Sequence, residues 1–323
     1  MGSRILLIKT SSLGDVVHNL PVVADIQRNL PGAIVDWVVE SRFADVVRLH
    51  PGVRRTMPVG LRDWRGGWWH RKAWQEIEHF LTELKKDDYD AVVDTQGLLK
   101  SAVLAGFARG RRVGQDFGTA RESLAALFYQ RRFHIERGRH AVVRNRDLAA
   151  QALGYPLPST PPEYGLHAPK EGLPENVREP FVLCLHGTSR ESKCWPRPYW
   201  MSFAKDILNH GLTPVFPWGT DAEHAVALAI CESVMGAVIL PRLPLRRLAV
   251  VIDRARAVVG VDTGLVHLAA ALARPTVALY TDTSPQLTGV LPADAKLGIN
   301  LGDSGHIPMP AEVRVALQDL KVL

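Results

Sequence analysis

Cysteine is scarce in this chain: three residues among 323, Cys184, Cys194 and Cys231, with no CxxC spacing. An odd and sparse set of thiols excludes a disulfide framework and a cysteine-rich zinc site, and it is typical of a reducing compartment. The apolar run at residues 5–8 ends at Lys9, so it is too short for a signal sequence or a membrane span. We therefore expect a cytoplasmic protein.

Charge is moderate overall, but the basic excess is confined to one half of the chain. Hydrophobic residues make up 46% and charged residues 22%, which excludes a disordered or collagen-like chain and predicts a soluble protein with a full-sized core. The net charge is +6. Residues 1–160 carry 24 Lys and Arg against 17 Asp and Glu, whereas residues 161–323 carry 15 against 16. This asymmetry suggests one anionic partner, met by the first half.

Short β-type runs alternate with helix-length amphipathic stretches in both halves, a pattern that favours βαβ units and parallel sheets. The proline-rich stretch 154–180 interrupts the alternation and is interpreted as a linker with an edge segment. The fold class predicted is therefore α/β, with two Rossmann-like parallel-sheet domains, 1–160 and 161–323, facing across a cleft. Ligands of such sheets collect at the carboxyl ends of the strands. Strands are predicted at 5–8, 34–39, 55–58, 91–93 and 112–114, and again at 181–185, 213–216, 237–239, 257–261 and 276–280. The helices predicted between them include two at about 15–28 and about 119–129.

The first motif with chemical potential is KTSSLGDVVH at residues 9–18, directly after the first predicted strand. It matches neither GxGxxG nor GxxxxGK[ST], which makes a dinucleotide oxidoreductase or a P-loop enzyme a weak interpretation. Asp15 has two interpretations. It, or Ser12, caps the following helix, or it acts as a general base for an acceptor hydroxyl, beside the basic residues Lys9 and His18.

Two further loops have the composition of a phosphate site. LHGTSRESKCWP at 185–196 offers the hydroxyls of Thr188 and Ser189 and the charge of Lys193, which together suit a diphosphate; the alternative is an ordinary polar loop. GVDTGLVHLAA at 260–270 offers the amides of Thr263 and Gly264 at a helix start. There, Asp262 and His267 have the alternatives of a helix cap and a core histidine. The two loops follow different strands of one predicted sheet, and their combination favours phosphate binding.

Two acidic features are more ambiguous. Glu223, after the predicted strand 213–216, suits either the ribose hydroxyls of a nucleotide or the positive end of a helix dipole. Asp88, Tyr89 and Asp90 have the spacing of a metal-binding DxD motif, but they precede a strand at its amino end. We interpret that motif as a solvated turn and expect transfer chemistry without a metal or other cofactor.

Taken together, the motifs resemble the lipopolysaccharide heptosyltransferases, and among them the heptosyltransferase I group of glycosyltransferase family 9. The resemblance runs in order from about residue 4 to residue 280, and it rests on KTSSLGD at 9–15, DTQGLLKS at 94–101, ARESL at 120–124, KCWP at 193–196 and VDTGLVH at 261–267. It implies a GT-B fold, in which the last helix, about 310–321, packs back on the first domain. It also implies inverting transfer of heptose from ADP-L-glycero-β-D-manno-heptose to the inner Kdo of Kdo2-lipid A.

The resemblance also assigns roles to residues of this chain. Asp15 is implied as the catalytic base, and Lys193 as a catalytic group that also binds the donor. The other donor-binding residues implied are Thr188, Ser189, Glu223, Leu243, Asp262, Thr263, Gly264 and His267, and the acceptor-binding residues are Ser11, Gly14, Arg62, Arg65, Gln96, Lys100 and Arg121. Ser189 stands where the family has a second Thr, which keeps the hydroxyl, and Leu243 stands where Met is common. Asp63, Gly66 and Gly67 are less basic than the family at those positions.

The expected partners are ADP-heptose, Kdo2-lipid A and the inner face of the cytoplasmic membrane, with the protein monomeric, peripheral and without nucleic acid. Two alternatives stay open: a related transferase with another nucleotide sugar or acceptor, such as the heptosyltransferase II type, and a basic nucleic-acid-binding protein. The second is motivated by tryptophans interleaved with cations, a pattern used by single-strand binders. These residues are Trp64, Trp68, Trp69 and Trp74 with Arg62, Arg65, Arg71 and Lys72.

Overall fold

Two parallel sheets, one in each half of the chain, organise the computed structural model, which describes residues 2–61, 64 and 71–323. The chain divides into two compact units, Met1–Gly165 and Leu166–Leu323. The predicted α/β fold class is confirmed. The division between the two units, after Gly165, lies five residues beyond the 160/161 boundary expected from the sequence. Of the residues described, no helix is both long and apolar enough to span a membrane.

The first unit alternates strands and helices around a parallel sheet whose six described strands lie in the order β3-β2-β1-β4-β5-β6. A 3-10 helix, Ser123–Phe128, precedes the last strand. The elements are β1 (Arg4–Ile8), α1 (Leu13–Val17), α2 (Leu20–Asn29), β2 (Ile34–Glu40), α3 (Ala44–Arg48), β3 (Val53–Val59), α4 (Arg71–Leu84), β4 (Asp88–Asp94), α5 (Leu99–Phe107), β5 (Arg109–Gln115), β6 (Arg131–Phe133) and α6 (Ala141–Leu153).

The second unit repeats this plan, and its six described strands lie in the order β12-β11-β10-β7-β8-β9. A 3-10 helix, Glu191–Lys193, follows its first strand. The elements are β7 (Phe181–Leu185), α7 (Arg197–Asn209), β8 (Thr213–Phe216), α8 (Asp221–Ser233), β9 (Val238–Ile239), α9 (Leu245–Arg254), β10 (Ala257–Val261), α10 (Gly264–Ala271), β11 (Thr276–Leu279), β12 (Gly298–Leu301) and α11 (Pro310–Asp319).

The first strand of each unit is central in its sheet, which explains its sequence. Residues 5–8 of β1 pair with β2 on one side and β4 on the other, and all four are fully buried. A strand covered on both faces needs a continuous apolar run rather than an alternating one. Strand β7 lies likewise between β10 and β8. Strand order therefore reverses between β1 and β4 in one sheet and between β7 and β10 in the other, and such switch points are where α/β sheets bind ligands.

The structure differs from the sequence prediction mainly at edges and breaks. Strands β6 and β12 were not predicted, because edge strands with exposed positions lack the apolar run of a central strand. The helix predicted at 15–28 is two helices, and α2 begins anew with Pro21 in its first turn. The helix predicted at 119–129 is the 3-10 helix Ser123–Phe128, and no strand occurs at 154–180.

The last helix, α11, buries its apolar side chains within the second unit. Val313, Ala316 and Leu317 belong to the same core cluster as Trp200 and Phe203 of α7. That this helix also packs back on the first domain, as the resemblance implies, stays a prediction.

Candidate active site

Asp15 lies at the first switch point, in the first turn of α1 after strand β1. Its Oδ2 accepts hydrogen bonds from the Ser12 backbone N–H at 2.8 Å and from Ser12 Oγ at 3.2 Å. The side chain nevertheless keeps 28% of its surface exposed. The carboxylate thus caps the helix and also reaches solvent, so the two interpretations from sequence are compatible.

Four of the residues predicted to bind the acceptor surround Asp15. Arg121 Nη1 lies 3.8 Å from Asp15 Oδ2. Lys100 Nζ donates to Ser11 Oγ at 3.2 Å, and Gln96 Oε1 accepts from the backbone N–H of Ser11 at 3.2 Å. Gly14, a fifth, belongs to α1 itself. Arg62 and Arg65 lie outside the described residues.

Lys9 is buried behind the loop that carries Asp15 and binds other parts of the protein. Its ammonium group is buried and donates to the Thr95 carbonyl at 2.8 Å and to Asn145 Oδ1 at 3.3 Å. Burial lowers the pKa of Lys9, because a charged amine is costly away from water. Lys9 therefore ties the loop after β1 to the loop after β4 and to α6. The Asp15 carboxylate opposes the lowering of the Lys9 pKa, so Lys9 is also the basic neighbour of Asp15 that the sequence predicts.

The loop after β4 is organised by a buried carboxylate that the sequence did not single out. Asp94 accepts from the Gln96 backbone N–H at 2.8 Å, from the Gly97 N–H at 3.3 Å and from the Tyr129 hydroxyl at 2.7 Å. Burial raises the pKa of Asp94, and burial together with the neighbouring carboxylate raises that of Tyr129. The Glu122 N–H donates to the Gly97 carbonyl at 2.9 Å, so this network also holds the segment that carries Arg121.

Replacing Gly97 by Ala tests this support. Gly97 has φ +66°, and an added Cβ would lie 2.9 Å from Gln115 Oε1 and 3.3 Å from the Arg121 backbone nitrogen. We expect Gly97→Ala to destabilise the protein by about 1–3 kcal/mol and to weaken acceptor use, measured by thermal unfolding and by acceptor KM. Gly118→Ala is the matched control, since its Cβ would meet only Asp116 Oδ1 at 3.6 Å. Equal stability of the two variants would contradict the account.

Two arginines absent from the sequence prediction extend the positive field around Asp15. The guanidinium group of Arg144, on α6, is half-buried, and burial lowers its pKa. The Asp15 carboxylate opposes that shift, whereas Arg121 and Arg137 add to it. Arg121 and Arg137 thus both act on Arg144, which also interacts with the Asp15 carboxylate, an arrangement suited to an anionic ligand.

The tryptophan-rich segment is only partly described: Trp68 and Trp69 lie outside the described residues. Trp64 packs on Phe80 with ring centroids 5.9 Å apart, and its Nε1 donates to Glu76 Oε2 at 3.2 Å. The ring lines a cavity of about 560 Å³ whose wall includes the carboxylates of Glu76 and Glu83. Arg55 and His79 also line it, so the charge of the wall is mixed, and Trp64 itself is held by Phe80 and Glu76.

At the second switch point, the loops after β7 and β10 meet through an ion pair. Lys193 Nζ lies 2.5 Å from Asp262 Oδ2, which also accepts from Thr283 Oγ1 at 2.8 Å. The hydroxyl of Thr188 donates to the Asp262 carbonyl at 3.0 Å. Ser189 is exposed beside it, and Gly264 begins α10 with Thr263 as its cap. The predicted phosphate-binding residues are therefore brought together. Thr283, after β11, was missed because nothing in its local sequence marks it.

Histidines underlie this site. His267 of α10 is buried, as in its interpretation as a core residue. His186, just after β7, is buried too, and its Nε2 donates to the Glu223 carbonyl at 2.9 Å. Burial lowers the pKa of His186 and so favours the neutral ring.

Of the two roles that the sequence left open for Glu223, the structure shows the helix cap, and the contact with ribose hydroxyls stays a prediction. Its Oε2 accepts from the N–H groups of Gly219 at 2.7 Å and Thr220 at 3.1 Å, which caps α8. The carboxylate also lies against the loop after β7, since a Cβ on Gly187 would lie 2.4 Å from Glu223 Oε1. Leu243, half-buried, precedes α9 in the loop after β9. Strand β8 neighbours β7 and strand β9 lies beyond β8, so both residues lie at the carboxyl edge of the same sheet.

Gly187 tests the placement of Glu223. A methyl group at Gly187 must displace the Glu223 carboxylate, so Gly187→Ala is expected to weaken ADP binding about tenfold, measured by calorimetry. Gly172→Ala serves as the control, because its Cβ would meet nothing within 4 Å. ADP binding by Gly187→Ala as tight as by the control would show that Glu223 is not needed there.

The DxD-spaced acids are not a solvated turn, which corrects the sequence interpretation. They begin strand β4: Tyr89 is buried, and Asp90 Oδ2 accepts from the Arg4 backbone N–H at 2.8 Å. They lie at the amino end of that strand, opposite to Gln96. Across the part of the chain that is described, no cluster of three or more His, Cys, Asp or Glu residues could hold a metal ion.

Comparison with known proteins decides the family. The model of glycosyltransferase family 9 (heptosyltransferase) matches residues 77–314. The chain belongs to glycosyltransferase family 9. It is 46% identical over 288 residues to lipopolysaccharide heptosyltransferase 1 of Pseudomonas aeruginosa, covering 88% of this chain and 81% of the relative. It is 41% identical to lipopolysaccharide heptosyltransferase 1 of Escherichia coli K12, covering 88% and 90%.

Solved structures agree. The E. coli heptosyltransferase WaaC with ADP superposes with a TM-score of 0.89 at 37% identity, covering 98% of this chain and 99% of that one. WaaC has also been solved with ADP-2-deoxy-2-fluoro heptose, at a TM-score of 0.85 and 36% identity, covering 98% and 99%. The predicted GT-B fold and transferase class are thereby confirmed. Identity to lipopolysaccharide heptosyltransferase 2 of E. coli K12 is 24%, covering 91% of this chain and 87% of that one, so the likeness favours the heptosyltransferase I group.

Proposed function

We propose that this family 9 transferase moves heptose from ADP-L-glycero-β-D-manno-heptose to the inner Kdo of Kdo2-lipid A in lipopolysaccharide inner-core synthesis. The observation that carries the proposal is the pair of switch-point sites. One holds a partly exposed carboxylate among cations, and the other holds Lys193 and Thr188 around Asp262 at the start of α10. The likeness to heptosyltransferase 1 enzymes and to WaaC with ADP supports the choice of sugar and nucleotide.

The donor side of the reaction uses the second site. The bond between the anomeric carbon of heptose and the β-phosphate oxygen breaks, and its electron pair leaves with ADP. Lys193 and the backbone amides at the start of α10 stabilise the charge that grows on the diphosphate. Asp262 holds the Lys193 ammonium group in place through the 2.5 Å ion pair. With this positive charge available from the protein, the transfer proposed needs no metal cofactor.

The acceptor side uses the first site. Asp15 takes the proton of a Kdo hydroxyl while that oxygen attacks the anomeric carbon from the face opposite to ADP, so the configuration inverts. Kdo carries a carboxylate and lipid A carries phosphates, and Arg121, Arg144 and Lys100 supply the opposite charge around the base. Arg62 and Arg65 are proposed to join them.

The proposed setting is the cytoplasmic side of the inner membrane, where the enzyme binds peripherally because its acceptor is a lipid. The enzyme is proposed to be a monomer. The nucleic-acid alternative loses support, because Trp64 is engaged with Phe80 and Glu76.

The decisive experiment incubates the protein with ADP-heptose and de-acylated Kdo2-lipid A and follows the acceptor by mass spectrometry. A product heavier by one heptose is expected, with both heptose epimers tested as donors. Titrations with ADP, UDP and a single-stranded oligonucleotide run in parallel. Transfer from UDP-sugars only, or oligonucleotide binding without ADP binding, would overturn the proposal.

Charge reversal at Arg121 tests whether acceptor binding and donor binding depend on different residues. Arg121→Glu places a negative charge beside Asp15, so the KM for the de-acylated acceptor is expected to rise at least about tenfold. The Kd for ADP is expected to stay unchanged, because the donor residues belong to the other sheet. Lys205→Glu, an exposed charge reversal on α7, is the control. Loss of ADP affinity in Arg121→Glu would contradict this division.

A further inference from the structure

Helix α5 exposes an apolar stripe although it belongs to a basic unit. Leu99, Val103 and Phe107 follow one another at intervals of four residues, which places them along one face of the helix. Their exposed fractions are 39%, 36% and 45%. The opposite side is packed: Ser101, Ala102, Leu104 and Ala105 are buried. The stripe is therefore not the core-facing side of the helix.

The 3-10 helix Ser123–Phe128 runs beside α5 and widens this stripe. Its first end is joined to the start of α5, because the Leu99 N–H donates to Glu122 Oε2 at 2.6 Å. Its last residue lies beside the end of α5, where a Cβ on Gly106 would be 3.6 Å from the Phe128 ring. Ala102 packs with Ala125 and Ala126 between the two helices. Leu124 and Leu127, three residues apart and so on one side of a 3-10 helix, are 61% and 62% exposed.

We call the five exposed side chains of Leu99, Val103, Phe107, Leu124 and Leu127 the apolar ridge. Lysines and arginines lie around it. Residues 97–133 contain seven Lys and Arg and two Asp and Glu. Lys85 Nζ lies 5.9 Å from the centre of the Phe107 ring, and Arg132 lies 5.2 Å from that of Phe117, itself 45% exposed. Arg109, Arg111 and Arg131 are exposed in the neighbouring strands β5 and β6.

We propose that the apolar ridge is the surface by which the protein docks on an anionic phospholipid bilayer. Apolar side chains insert at the level of the headgroups, and flanking Lys and Arg are attracted to an anionic membrane surface. A second copy of the chain fits less well, since a two-fold contact through this face would bring the same cations against each other.

Docking through the apolar ridge places the bilayer beside the proposed acceptor site. Lys100, next to Leu99, reaches Ser11, and Arg121, three residues before Leu124, reaches Asp15. A lipid-anchored sugar would then approach the base without leaving the bilayer. The identity of the lipid-anchored acceptor rests on the proposed function, whereas binding of the apolar ridge to the bilayer does not.

The test compares the wild type with Leu124→Gln/Leu127→Gln in co-sedimentation with vesicles, without donor or acceptor. Vesicles of phosphatidylglycerol with phosphatidylcholine are compared with phosphatidylcholine alone. The wild type is expected to bind the anionic vesicles, less so in high salt, and the double variant to lose at least about tenfold in partition coefficient. Leu228→Gln/Val315→Gln, which alters exposed apolar residues of the second unit, is the control and keeps wild-type binding.

Activity distinguishes this inference from the proposed function. The ridge variant is expected to use de-acylated acceptor at the wild-type rate and to lose transfer to acceptor embedded in vesicles. Equal vesicle binding by wild type and ridge variant, or no binding by the wild type, would overturn the inference even if transfer is observed. A wild-type dimer that the ridge substitutions dissociate would also overturn the inference. So would a ridge variant that binds vesicles like the wild type but no longer transfers heptose to acylated acceptor in detergent.

Discussion

Asp15→Asn is expected to lower the turnover number of heptose transfer by about a thousandfold while leaving the Kd for ADP unchanged. An amide cannot accept the proton of the attacking hydroxyl, and a positioned general base contributes about 10²–10⁴ in rate. The choice of Asn matters because Asp15 also accepts the Ser12 N–H at 2.8 Å. The amide oxygen of Asn keeps that acceptor, so the helix cap survives and loss of the base is measured by itself.

Two comparisons make the Asp15 result interpretable. Asp45→Asn removes another partly exposed acid of the same unit, one paired with Arg48, and is expected to be nearly silent. Asp15→Ala removes base and cap together, so it is expected to lower the melting temperature as well as turnover. Turnover of Asp15→Asn within a few-fold of the wild type would show that another group takes the proton.

The second large effect is expected at Lys193. Lys193→Met keeps much of the side-chain volume and removes the only charge that the structure shows paired with the Asp262 side chain within the described residues. We expect kcat/KM for ADP-heptose to fall by roughly two to three orders of magnitude, since removal of one donor to a developing oxyanion costs about that much. ADP binding, measured by calorimetry, is expected to weaken too, because Asp262 is left as an unpaired negative charge near the diphosphate.

Combining this change with Asp262→Asn separates the two causes. The double variant Lys193→Met/Asp262→Asn is expected to regain part of the ADP affinity, because the uncompensated carboxylate is gone, while transfer stays slow. Lys205→Met, an exposed lysine of α7, is the control. If Lys193→Met bound ADP and transferred heptose like the control, Lys193 would have no role at the donor site.

The central strands of both sheets could be predicted because burial on both faces requires an apolar run that is visible in the sequence. Strands β1 and β10 are buried on both faces and read as unbroken apolar runs. Strand β6 could not be found in the same way, since its residues, Arg131–Phe133, are mostly exposed at a sheet edge. The Asp88–Asp90 motif misled because its meaning depends on Tyr89, whose hydroxyl donates to Asp36 at 2.8 Å across 53 residues of sequence.

The candidate site shows the same limit. The loops at 9–15 and 193 are recognisable because glycine, hydroxyl and charged residues follow apolar strands. Asp94 and Arg144 were missed, since their importance comes from partners distant in sequence: Tyr129 for one, Asp15 and Arg121 for the other. The burial of Lys9 could not be foreseen for the same reason, because Asn145, which accepts a hydrogen bond from its ammonium group, is 136 residues away.

The identical strand order of the two sheets has a consequence for how substrate preference can change. In each sheet, the loop after the first strand and the loop after the fourth strand build the site: those of β1 and β4 around Asp15, those of β7 and β10 around Lys193. Each site is built from the loops of its own sheet. Substitutions in the first unit can therefore change acceptor preference without altering the loops proposed to hold the nucleotide sugar.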